Sequence, residues 1–170
     1  MKPRSFRLAE LLLDPKSSPP ALEVVRTTAA AVGSLLLAEL LRLPNPYWAT
    51  ISCLIVVLSS AGSELAVSVQ RCIGTGIGAA LAAAVDHYLG SGPLSFGVTV
   101  LAFGMVCCAG RVNRGAFRYG SIAAAIVILV PHAGSAGLVA FHRFIEVSLG
   151  IGVGLATAIV WPAPRAPQAA

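Results

Sequence analysis

Apolar residues fall into six runs along this chain, and the polar and helix-breaking residues are gathered in the gaps between them. With approximate edges the runs are Ala21–Leu41, Tyr47–Ala61, Cys72–Leu89, Leu94–Ala109, Tyr119–Pro131 and Phe144–Trp161. They lack the polar face that a helix carries at the surface of a water-soluble domain, so each is read as a membrane crossing. Several are shorter than the roughly 20 residues a straight helix needs to span a bilayer. The second and fifth are the shortest, and each ends in or just before an Ala-Gly-Ser triplet. The second follows Leu43-Pro44-Asn45-Pro46, which cannot continue a helix because proline has no amide donor. Ser63 and Ser135 stand where an N-cap is needed, so the third helix is expected from about Ser63 to Leu89.

The pattern then repeats at an offset of 72 residues: Tyr47 to Val85 overlays Tyr119 to Thr157 without a gap. Tyr47 meets Tyr119, Ala61-Gly62-Ser63 meets Ala133-Gly134-Ser135, and Arg71 meets Arg143. Val67 meets Val139, Gly78 meets Gly150 and, upstream, Arg42 meets Arg114. Three crossings per unit is an odd number, so the second unit must lie upside down relative to the first. The expected fold is an all-α integral membrane protein with six transmembrane helices arranged as two inverted three-helix repeats, about 21–89 and 94–162. A cytoplasmic segment 1–20 precedes this membrane domain and a tail 163–170 follows it. Inverted repeats are common in transporters, whose substrate sites lie between the repeats near the bilayer midplane.

Composition supports the membrane reading: 56% of residues are hydrophobic and 11% charged, where soluble domains carry roughly a quarter charged. Leu8–Leu13 is too short for a signal peptide and runs into Asp14-Pro15, so the first crossing is expected to direct insertion. Lys2, Arg4, Phe6, Arg7 and Leu11–Leu13 suit a basic amphipathic helix on an anionic leaflet, or a solvated tail. Six crossings put Lys2, Arg4, Arg7, Lys16, Arg26, Arg71, Arg111, Arg114, Arg118 and Arg165 on one side, and only Arg42 and Arg143 on the other. That bias places both termini in the cytoplasm, in a bacterial inner membrane. Topology thus accounts for the net charge of +5, and nucleic acid is not an expected partner. Cys53, Cys72, Cys107 and Cys108 show no metal-binding spacing and read as small packing residues.

The candidate chemistry lies in the arginines. A helix starting at Ser63 puts Arg71 roughly 12 Å along its axis, and Arg143 stands equally far from Ser135. At a helix centre an arginine costs about 2.5–3.5 kcal/mol on insertion scales, so it needs a partner or a task. Snorkelling, or structural pairing with Glu64 and Glu146, is one reading; binding a carboxylate is the other. Recurrence at one register in both repeats favours binding, with Tyr47 and Tyr119 offering one aromatic ring per half. Glu39 is either the i+3 ion-pair partner of Arg42 or a proton-coupling carboxylate. Trp48, Tyr88 and Trp161 read as interfacial aromatics, Asp86 and His87 as loop residues, and His132 and His142 make no metal site. Gly74, Gly76 and Gly78, with Gly150, Gly152 and Gly154, read as tight helix packing. No nucleophile–base pair, metal site or cofactor fingerprint points to an enzyme.

Pro46-Tyr47-Trp48-Ala49-Thr50-Ile51 and Arg71-Cys72-Ile73-Gly74-Thr75-Gly76-Ile77-Gly78 resemble the fusaric-acid-resistance-like, or aromatic acid exporter, superfamily. In that family a Tyr-Trp opens the second crossing and Arg-x-x-Gly-Thr-x-x-Gly follows in the third. The same features resemble the plant aluminium-activated malate transporters. Nearly all of Ala21–Pro162 is covered, the sixth crossing from Arg143 to Pro162 less specifically. The resemblance implies an exporter of organic anions, often aromatic carboxylates, with a passive anion channel and a non-transporting membrane scaffold as the competing readings. Larger members add a soluble domain and often a second six-helix unit. This chain ends nine residues after Trp161, which suggests a homodimer standing in for the doubled unit.

Overall fold

A computed structural model describes residues 20–60, 62–131 and 134–162. Among these residues six helices follow one another: α1 (Ala21–Leu40), α2 (Tyr47–Val57), α3 (Glu64–Leu89), α4 (Pro93–Ala109), α5 (Arg114–Leu129) and α6 (Ala136–Val160). Among the described residues there is no strand. α1, α3 and α6 are long and apolar enough to cross a membrane, while α2 and α4 are apolar but shorter. α5 begins at Arg114, five residues before the expected Tyr119, so Arg114 and Arg118 lie on the helix itself. The expected basic helix within 1–19, His132, the alanines of both Ala-Gly-Ser triplets and the tail 163–170 lie outside the described residues.

The halves pack alike. α3 packs on α5 and α2 on α6, α1 on α2 and α4 on α5, α3 on α4 and α6 on α1, α5 on α6 and α2 on α3, while α3 and α6 meet each other. Exchanging α1–α3 for α4–α6 turns each of these contacts into another member of the set, and the α3–α6 contact into itself.

Two interfaces depend on glycine. A Cβ on Gly74 or Gly78 of α3 would fall on the backbone of Ala116 or Gly120 in α5. One on Gly150 of α6 would fall on the Ala49 carbonyl of α2, and one on Gly154 would stand 2.9 Å from Val56 Cβ. Each pair lies four residues apart, on one helical face, so the backbones meet where no side chain intervenes. The interior accordingly holds small residues such as Ala38, Ala49, Ala82 and Ala124, together with buried polar ones. Large aliphatics such as Leu36, Leu40, Leu101 and Ile159 point outward, the distribution suited to lipid contact.

The helix ends refine the repeat. Ser135 caps α6 by accepting a hydrogen bond from Leu138 N at 3.4 Å, but Ser63 makes no such bond to α3 and donates to the Ser60 carbonyl instead. α1 and α4 close with the same motif: Leu43 N donates to the Ala38 carbonyl, and Val112 N to the Cys107 carbonyl. The left-handed residue between is Arg42 (φ 53°) in one and Arg111 (φ 50°) in the other. The structural counterpart of Arg42 is therefore Arg111 and not Arg114, because the α4–α5 turn is shorter than the proline-bound α1–α2 turn.

Candidate functional site

One turn of α2 carries both intramembrane arginines. Proline-flanked Asn45 blocks helix formation until Tyr47, which fixes where Trp48 and Ser52 stand; four residues apart, they share a face. Ser52 Oγ donates to the Trp48 carbonyl at 2.8 Å and accepts from Arg71 Nη2 at 3.1 Å. The Arg143 guanidinium carbon lies 3.5 Å from the centre of the Trp48 ring, a cation–π contact at close range. Arg143 Nη1 stands 3.9 Å from Glu146 Oε2, an ion pair too long to be a hydrogen bond. Glu146 Oε1 accepts from the Asn45 backbone N–H at 2.8 Å. On the other side, the Arg71 guanidinium carbon is 5.0 Å from the Tyr119 ring, and Arg118 Nη2 donates to the Tyr119 hydroxyl at 3.0 Å.

These groups are secluded: Arg71 is 6% exposed, Arg143 5% and Glu146 1%. Nε of both arginines and Nη1 of Arg143 make no hydrogen bond among the described residues. A buried guanidinium with unused donors and an aromatic face beneath it is chemically suited to grip a carboxylate that itself bears an apolar or aromatic body.

Two cavities approach this layer. The first, about 400 Å³, is lined by Tyr47, Ile126, Val130, Pro131, Ser135 and Val139, and also by Trp48, Arg143 and Glu146. The second, about 460 Å³, is lined by Tyr119, Leu54, Leu58, Ser59, Ser63 and Val67, with Arg118 at its wall. Those two sets of six residues correspond one to one at the offset of 72. The first cavity therefore has its counterpart in the second. The chemistry differs where the repeat does: Trp48 has Gly120 as its counterpart, Ser52 has Ala124, and Glu146 has Gly74.

Among the expected site residues, Arg71, Arg143 and Tyr119 come together across α2. Tyr47 lines the first cavity but is half exposed, its hydroxyl donating to Asn45 Oδ1 at 3.0 Å, so the two tyrosines do not play matching parts. Glu39 sits on the exposed side of α1 and forms no ion pair with Arg42, since Arg143–Glu146 is the only salt bridge among the described residues. Trp48 is not merely an interfacial aromatic but the surface under Arg143. Ser52 escaped notice because a lone serine in an apolar helix carries no signal of its own. Arg26, which counts toward the cytoplasmic side in the sequence, is 1% exposed, on the buried stripe Arg26, Ala30, Ser34 and Ala38 of α1, and none of its side-chain nitrogens is hydrogen-bonded among the described residues. Its i+4 register with three small residues was the available clue. Among the described residues no group of three or more His, Cys, Asp or Glu is placed to hold a metal ion.

Comparison with known proteins adds the lineage. The model of the family described as fusaric acid resistance protein-like matches residues 15–157. A protein of Mycobacterium tuberculosis (strain ATCC 25618 / H37Rv) named "Putative arylamide transporter" is 28% identical over 120 residues, covering 69% of this chain and 34% of that protein. A protein of the same name from Mycobacterium bovis matches equally. The chain thus spans about a third of the length of these relatives. No solved structure matches it.

Proposed function

The chain belongs to the fusaric acid resistance protein-like family, and on that premise we propose that it is a membrane transporter that exports organic anions, such as aromatic carboxylates, across the bacterial inner membrane. The observation that carries this reading is the pair of repeat-related cavities flanking a layer of two buried, under-bonded arginines. In the proposal the two halves, about 21–89 and 94–162, are inverted three-helix repeats. The first cavity then opens outward, the second faces the cytoplasm, and both termini are cytoplasmic. An anion enters past Arg118 and Tyr119, is taken by Arg71, passes across the Ser52–Trp48 turn to Arg143, and leaves through the first cavity. The mycobacterial relatives' printed name supports transport of aromatic compounds in general rather than carboxylates in particular.

A passive anion channel is the second reading. Against it stands the seclusion of the arginine layer, which separates the cavities in this conformation and suits alternating access better than an open pore. A scaffold role leaves both buried arginines without a task. The unit is proposed to act as a homodimer, because a single six-helix bundle offers little protein around a central pathway.

The test is uptake of a panel of aromatic and aliphatic carboxylates into proteoliposomes, with and without a pH gradient, normalised to inserted protein. Arg71→Gln and Arg143→Gln are expected to lose at least nine-tenths of transport. Wild-type rates in both, correctly inserted, make the arginines structural and sink the site assignment. Transport by a monodisperse monomer removes the dimer.

A further inference from the structure

The two halves of the arginine layer differ in one charge. Arg143 has Glu146 on its own helix three residues on, whereas the counterpart of Glu146 in the first repeat is Gly74. That glycine is required for packing, since a side chain there would run into the backbone of Ala116. Arg71 therefore has no carboxylate within ion-pair distance among the described residues, and Arg143 has one. Glu146 is the most deeply buried acid in the described chain and nevertheless borders the first cavity.

Resting on the transport reading above, we infer that Glu146 is a proton-linked competitor for Arg143, so that an organic anion moving onto Arg143 displaces the Glu146 carboxylate, which takes up one proton from the first cavity. Two carboxylates sharing one buried guanidinium repel each other, and the repulsion is relieved when one of them is protonated. Glu146 is built to be that one. Its Oε1 is held by the Asn45 N–H, a bond that the carbonyl oxygen of a neutral carboxyl still accepts, though more weakly than a carboxylate, so the side chain keeps its anchor in either state. Its Oε2 is only 3.9 Å from Arg143, beyond hydrogen-bonding distance, and is free to carry the proton when the pair opens. The balance is simple: one O–H bond of a hydronium ion in the cavity breaks, one O–H bond forms on Glu146, and the ion pair between Glu146 and Arg143 gives way to one between the anion and Arg143. An anion held at Arg71 needs no such proton. Proton uptake therefore belongs to the transfer step and not to first capture.

The charged and titratable groups around Glu146 are few. α6 itself brings Arg143 and His142, the start of α2 brings Tyr47, and the charge of Arg71 on α3 reaches Arg143. From α5 the cavity wall is Ile126, Val130 and Pro131, none of which titrates. α1, which also packs on α6, carries an exposed Glu39 and, near the opposite end, Arg26, one turn before an Ala30 that packs beside Val153. His142 is thus the group whose titration must be separated from that of Glu146.

The experiment is calorimetric binding of benzoate, and in parallel of malate, to the purified full chain at pH 5 to 8 in buffers of different ionisation enthalpy, which counts protons taken up. The wild type is expected to bind with proton uptake and to lose affinity as pH rises, approaching tenfold per unit. Glu146→Gln should bind with no uptake and a flat profile, tighter than wild type at pH 7.5, and His142→Gln should keep the wild-type profile. Glu146→Gly, which copies the other repeat, gives a second proton-free variant should the glutamine variant insert poorly. Wild-type uptake retained in both Glu146 variants, or abolished in His142→Gln, overturns the inference while leaving transport intact. Failure of the wild type to bind either anion overturns the transport reading and this inference with it, whereas binding lost in Arg71→Gln but indifferent to Glu146 removes only the latter.

Discussion

Arginine and tryptophan here form one device. Trp48 gives Arg143 a polarisable face where little of the guanidinium reaches the cavity, a contact of roughly 0.5–2 kcal/mol depending on desolvation. Trp48→Leu keeps the volume apolar but removes that face, and is expected to cut transport by roughly two- to thirtyfold, the range such an energy implies. Trp48→Phe should fall between, and both are read as initial uptake rate per inserted protein. Equal rates in all three would mean that Trp48 only fills space. For Arg71 the informative change is Arg71→Lys. Lysine preserves charge but not the planar fork that meets both Ser52 and a carboxylate, so substrate affinity should weaken while insertion is unchanged. A lysine variant with wild-type affinity would reduce the role of Arg71 to that of a point charge.

Helix packing sets where these side chains stand, and glycine sets the packing. Gly150 and Gly152 share one helix and differ only in their surroundings: a Cβ at Gly150 meets the Ala49 carbonyl, and one at Gly152 meets nothing within 4 Å. Gly150→Ala should therefore force α2 and α6 apart, at about 1–3 kcal/mol of overpacking. Gly152→Ala should be neutral or stabilise by up to about 1 kcal/mol through helix propensity. Thermal melting in detergent measures both, and Gly78→Ala in α3 is expected to follow Gly150→Ala because its Cβ falls on Gly120. Indistinguishable melting of the Gly150 and Gly152 variants would show that the close approach is not what holds α2 against α6. Because Trp48 and Ser52 flank Ala49, the Gly150 change should also displace the arginine layer and depress transport more than stability.

At the scale of the whole molecule, the proposed inverted repeat makes a claim about sides. Ser91, in the turn between α3 and α4, should be external, and Asn113, just before α5, internal. Single cysteines at these positions, in a background lacking the native cysteines, are expected to react with an impermeant maleimide from opposite faces. Asn113→Cys also removes the bond that the Asn113 side chain accepts from Gly115 N, at about 1 kcal/mol, so insertion is checked first. Labelling of both from the same face would overturn the six-crossing inverted arrangement and, with it, the assignment of the first cavity to the outside.

The sequence by itself determined the order and number of the described helices, the offset of 72 between the halves, the packing of Gly74, Gly78, Gly150 and Gly154 and the two arginines in matching register, but it expected the same packing of Gly152, which meets nothing within 4 Å. All of these are carried by hydrophobicity, backbone chemistry and spacing, which are written locally along the chain. Only the tertiary structure decided which groups those arginines meet. Trp48 lies 95 residues before Arg143 and Ser52 lies 19 before Arg71, and no local pattern joins partners that come together only when α2 packs on α6 and meets α3. The same holds for Arg26, whose charge counted toward a cytoplasmic surface in the sequence but whose face of α1 is covered once α2 and α6 pack against it. It holds for Arg42 as well: both turns open with the same closing bond, but the α1–α2 turn is lengthened by Pro44 and Pro46, which shifts the counterpart of Arg42 from Arg114 to Arg111.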